Sequence, residues 1–132
     1  MKNRPQQRAF TSVEIMIVVV IIGLLATFAI PTFKKIRSQS TFSMMRNDAR
    51  QLGAGAQQYF LETGAIAISF TTSADGSLGS PMDEYVTKIS QNYASVSETI
   101  TEDGIFFLSH SGYNNGDPVY FTNEGALASV EP

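Results

Sequence analysis

The sequence predicts an α+β fold: one long N-terminal α-helix packed against a small C-terminal antiparallel β-sheet. Three observations carry this. Ile15–Ile30 is an apolar run without a single charge. From Phe42 to Tyr59 apolar residues recur in steps of three and four. After Ala65 the chain turns to β-branched and aromatic residues punctuated by turn formers. A length of 132 residues fits one small domain plus a membrane element rather than two globular domains.

The first stretch of the helix is apolar on all sides. From Phe10 to Pro31 it counts about 22 residues, ~33 Å of helix and enough for a bilayer core. A helix in a soluble core would show polar residues every third or fourth place. Thr11, with Glu14 three residues on, fits a capping box and places the helix start at this junction. The second stretch is amphipathic: Phe42, Met45, Ala49, Leu52, Ala56 and Tyr59 form one seam. Gly64 is positioned to end the helix. Phe10 to Thr63 then reads as one rod of about 54 residues, ~80 Å long. Two residues are expected to bend it. Pro31 cannot donate to the carbonyl of Thr27, and Gly23 is a weak helix former. Gly53 and Gly55 are expected to let the sheet pack close against the helix.

In the head, Ala65–Phe70 reads as a short extended entry and Thr71–Pro81 as a loop. Met82–Asn92 fits one helical turn or irregular packing. Ala94–Thr101 alternates weakly, Glu102-Asp103-Gly104 forms a turn, and Ile105–Ser109 is a strand. Ser111–Pro118 is a Gly- and Asn-rich loop before a last strand, Val119–Thr122. The expectation is three antiparallel strands over the helix seam. His110, the one histidine, lies in a Ser-His-Ser string without an orienting acid and reads as a loop or edge-strand residue. No phosphate loop, paired catalytic carboxylates or metal-grade cluster is present, so neither an enzyme nor a cofactor is expected. The chain has no cysteine, which excludes disulfides and thiolate metal sites.

Charge is unevenly spread. Lys2, Arg4 and Arg8 make the first nine residues basic. Lys34, Lys35, Arg37, Arg46 and Arg50 form a band opposed by Asp48 alone, and after Gln51 Lys88 stands against ten carboxylates. A head this acidic gives no field that would draw nucleic acid.

Glu14 is the residue that most needs explaining. A carboxylate costs roughly 2.5–3.5 kcal/mol at the centre of a membrane helix and less near the interface, so a partner is expected. The basic leader, the junction Ala9-Phe10-Thr11 and Glu14 four residues after Phe10 together resemble the type IV prepilin signature, shared by type IV pilins and type II secretion pseudopilins. The resemblance is specific over Ala9 to Pro31, and it departs from the family in having Ala9 where Gly is usual.

The resemblance implies a pilin-like fold and a structural subunit of a filament. Prepilin peptidase would cut between Ala9 and Phe10 and methylate the Phe10 amine. Glu14 would pair with that amine on a neighbouring subunit, and the stretch from Gly23 to Pro31 would unwind in the filament. The implied partners are further pilin or pseudopilin subunits, the peptidase, an inner-membrane assembly platform and the lipid bilayer. The N-terminus would be cytoplasmic and the head extracytoplasmic. The resulting divisions are a leader (1–9), a membrane and filament-core helix (10–31), its amphipathic extension (32–64) and the head (65–132). One branch of the family binds calcium near its C-terminus. Here Asn114, Asn115, Asp117 and Glu124 match no cation loop and suit turn chemistry, so no metal is expected. Pilus and pseudopilus stay open, with the missing disulfide and small head favouring the latter. The alternative is a secreted or anchored binding module with an ordinary signal peptide cut near Thr27-Phe28-Ala29.

Overall fold

The helix begins where Thr11 and Glu14 can satisfy each other. The computed structural model describes residues 9–128; most of the basic leader and the last four residues of the head lie outside them. Thr11 Oγ1 accepts the Glu14 N–H at 3.3 Å, while the Glu14 carboxylate accepts the Thr11 N–H and hydroxyl, each at 2.8 Å. This is the reciprocal capping box, with Thr11 as N-cap. Helix α1 accordingly spans Ser12–Thr63 and starts two residues later than Phe10. Pro31 lies inside it. At its far end Gly64 adopts φ +69, and its N–H reaches the Phe60 carbonyl at 2.9 Å. This left-handed cap closes the helix as expected.

The chain divides into two compact units, Met1–Ile36 and Arg37–Pro132. The first holds the apolar stretch of α1. In the second, Met45, Ala49, Leu52 and Ala56 are fully buried, with Phe42 and Tyr59 half-buried at the ends of the seam. Among the described residues four strands cover that seam, not three. They are β1 (Ala67–Thr71), β2 (Ser97–Thr101), β3 (Ile105–Leu108) and β4 (Val119–Thr122). β1 and β2 pair antiparallel from Ala67 opposite Thr101 to Thr71 opposite Ser97. β3 and β4 pair antiparallel from Ile105 opposite Thr122 to Leu108 opposite Val119. The segment expected to be only an extended entry is thus a paired strand, because β2 supplies its ladder.

Alternation puts Ile68 and Phe70 of β1, Ile100 of β2, Phe106 and Leu108 of β3, and Phe121 of β4 on the inner face. Phe106 links the two ribbons, edge-on to Phe70 at 6.0 Å and tilted on Phe121 at 6.1 Å. Met82–Glu84 forms a short 3-10 turn whose Met82 is fully buried. Gly53 and Gly55 do permit close approach, but to connections rather than strands. A Cβ on Gly53 would meet the Asn123 carbonyl, and one on Gly55 would meet Val86 and Tyr85.

Candidate functional site

Ala9 and Phe10 precede the helix outside any regular element, and Phe10 is 81% exposed. Glu14 sits one turn further on, also exposed, and its partners in its own chain are the Thr11 N–H and hydroxyl. The capping box therefore turns the carboxylate back toward the N-terminal end of the helix, where the positive end of the helix dipole favours it. Beyond Glu14 the helix surface is greasy all round. Val13, Met16, Val19, Ile22, Leu25 and Phe28 are each more than half exposed. The helix is long and apolar enough to cross a membrane.

Gly23 and Pro31 lie in this stretch. Nothing stands within 4 Å of where a Gly23 side chain would begin. Two hydroxyls fold back onto the backbone between them and just beyond: Thr27 Oγ1 donates to the Gly23 carbonyl at 3.0 Å, and Thr32 Oγ1 to the Phe28 carbonyl at 3.0 Å. Such back-bonding weakens the helical ladder, and Pro31 already leaves the Thr27 carbonyl without its usual donor.

No protein-family model and no solved structure matches the chain. Three curated proteins do. The chain is 41% identical over 58 residues to the type IV major pilin protein PilA of Myxococcus xanthus, covering 44% of this chain and 26% of that one. It is 36% identical over 60 residues to the type II secretion system core protein G of Pseudomonas aeruginosa, covering 46% and 42%. A fimbrial protein of Pseudomonas aeruginosa aligns over 125 residues at 26% identity, covering 94% and 78%. The match thus spans less than half the length of the first two relatives. The chain is thus similar to type IV pilin, type II secretion and fimbrial proteins. All three relatives carry the names of structural subunits, not of enzymes. The fold agrees: a pilin-like long helix against small antiparallel ribbons.

One polar cluster in this pilin-like head was not anticipated. Asp48 is 3% exposed, and its Oδ2 accepts the Tyr93 hydroxyl at 2.7 Å and the Ser90 N–H at 3.2 Å. Burial first, and the Asp48 hydrogen bond second, push the Tyr93 phenol well above its ordinary range. Tyr93 stands edge-on to His110 at 5.1 Å. His110 lies in the connection after β3 and is buried there: Nδ1 accepts the Gly112 N–H at 2.9 Å, and Nε2 faces the Gln91 carbonyl at 2.8 Å. No buried polar side-chain atom among the described residues lacks a partner, and the cluster ties the 88–93 connection to α1. The signal was present, since Asp48 falls on the seam between Met45 and Leu52. Asn114 donates to Asp117 at 3.1 Å within a left-handed turn, the turn chemistry expected there. No group of three acidic or histidine side chains among the described residues is placed to hold a metal.

Proposed function

We propose that the chain is a structural subunit of a type IV pilus-like or type II secretion pseudopilus filament. It waits in the cytoplasmic membrane, N-terminus inside and head outside. Prepilin peptidase cuts between Ala9 and Phe10 and methylates the new amine, and an assembly platform then extracts the subunit into the polymer. The driving step exchanges lipid around Val13–Ile36 for the apolar helices of neighbours. Gly23 to Pro31 is the stretch that gives way as the helices pack.

The observation that carries this reading is Glu14, an exposed carboxylate at the rim of a surface with no other charge until Lys34. A freed Phe10 amine is mostly cationic at neutral pH, and a buried carboxylate beside an ammonium is far less costly than either alone. Pairing between subunits would fix their axial register. The capping box favours a second reading, in which Glu14 serves only to start the helix. Glu14→Gln separates the two, because Gln also completes a capping box but carries no charge. At equal expression, Glu14→Gln is expected to lower filament yield well beyond about tenfold, since stranding one buried charge costs about 3–5 kcal/mol. Parental yield from this variant would leave capping as its role. Intact-mass spectrometry tests processing: a chain starting at Phe10 and heavier by one methyl group is expected. One starting near Ile30 would mark a secreted module instead.

A further inference from the structure

We propose that Asn115 is a site of spontaneous deamidation, with the backbone nitrogen of Gly116 as the nucleophile and an exposed loop of the head as the part it changes. The reaction consumes one water and releases one ammonia. The Gly116 nitrogen forms a bond to Cγ of Asn115 and gives its proton to solvent, the Cγ–Nδ2 bond breaks, and ammonia leaves. Water then opens the cyclic imide at either carbonyl, giving aspartate or isoaspartate at position 115. A side chain on the following residue obstructs this ring closure. Of the asparagines in the chain, Asn115 alone is followed by glycine.

The fold leaves room at this asparagine and restricts others. Asn115 is exposed, and a Cβ built on Gly116 would meet nothing within 4 Å. Asn114, Asn115 and Gly116 take φ values of 42, 59 and 89, a left-handed run that asparagine tolerates only as isolated residues of a turn. By contrast, Asn47 lies inside α1, Asn92 precedes the buried ring of Tyr93, and the Asn123 amide is taken by the Glu102 carbonyl. Two bonds restrain the reacting peptide. The Gly116 N–H donates to the Tyr113 carbonyl at 2.8 Å, and the Gly116 carbonyl accepts the Ser109 hydroxyl. The nitrogen must leave Tyr113 before it can attack, so local opening of the turn sets the pace. The product does not fit the turn it came from. An isoaspartyl link adds a methylene to the main chain between the Asn114 carbonyl and the Asp117 N–H, which are bonded at 3.1 Å. Either product adds a negative charge close to Asp117. The loop that changes is one that α1 holds, because the Tyr113 ring stacks on Phe42 at 5.3 Å.

Peptide mapping of the full chain tests this. The chain is purified in detergent, held folded at mildly alkaline pH and digested with trypsin. Lys88 is the last base in the sequence, so everything after it stays in one peptide, whose fragmentation reads Asn92, Asn114, Asn115 and Asn123 together. Amide loss is expected at Asn115 ahead of the other asparagines. It should give two products of equal mass, because the cyclic imide opens both ways. Ser109→Ala should speed the loss about fivefold in the folded chain, the scale of one hydrogen bond, and should change nothing in denaturant. Asn115→Gln should leave position 115 unaltered over the same time. Aspartate as the sole product, or conversion at Asn92 or Asn123 before Asn115, overturns the proposal. So does conversion confined to the denatured chain, or a folded-state rate indifferent to Ser109→Ala.

Discussion

Asp48 shows how one side chain ties a connection to a helix. It is buried, and its Oδ2 depends on the Tyr93 hydroxyl and the Ser90 N–H. Tyr93→Phe removes the shorter of those bonds and leaves the carboxylate short of a donor. The expected loss is about 1–3 kcal/mol of head stability at neutral pH, read by denaturant unfolding in detergent. The pH dependence has a definite sign. The folded phenol is held above the ordinary value by burial and by Asp48. Its stabilising share is therefore complete below about pH 10, where the unfolded phenol titrates, and is lost as pH rises beyond that. Tyr93→Phe has no such group, so the gap between parent and variant should narrow above about pH 10. A gap that stays constant would place the phenol outside the linkage. None of this was legible from charge pattern, which grouped Asp48 with the basic band. The helical period did mark its face, but which polar residue a fold buries depends on Ser90 and Tyr93, far along the chain. His110 lies outside the strands, as a loop reading has it; its burial was not legible, because Gln91, which its Nε2 faces, belongs to another connection.

At the scale of elements, local signals served the helix well and the strands less well. The seam, the capping box and the Gly64 stop are all contacts within a few residues, and each was legible. The pairing of β1 with β2 joins Ser69 to Thr99 across 30 positions, their hydroxyls 2.9 Å apart. No local pattern announces such a partner, so β1 read as a mere entry. The connections carry as much packing as the strands. Gly53 lies under the Asn123 carbonyl with no room for a Cβ. Gly53→Ala should destabilise the head by about 1–3 kcal/mol through overpacking. Gly64→Ala meets open space and should lose only the about 1–2 kcal/mol of its left-handed backbone. Equilibrium unfolding of both variants reads the two losses, and adding Asn123→Ala should not rescue Gly53→Ala, because the clash is with the Asn123 backbone carbonyl.

At the scale of the molecule, the two units differ in what they need from their surroundings. The core of Arg37–Pro132 runs from Met45 to Phe121. The more-than-half-exposed apolar side chains of α1 before Arg37, from Val13 to Ile36, all belong to the other unit. A continuous apolar surface of that extent marks an interface with lipid or with protein. A chain starting at Arg37 should therefore be soluble without detergent, elute as a monomer in size-exclusion chromatography and unfold in one cooperative transition. The full chain should need detergent or membranes under the same conditions. On the proposed function, the shortened chain should also fail to form filaments, because it lacks both Glu14 and the surface proposed to exchange lipid for neighbouring helices. Aggregation or a non-cooperative melt of the shortened chain would mean that the head borrows stability from the apolar helix. Detergent-free solubility of the full chain would remove the need for any lipid or subunit around Val13–Ile36.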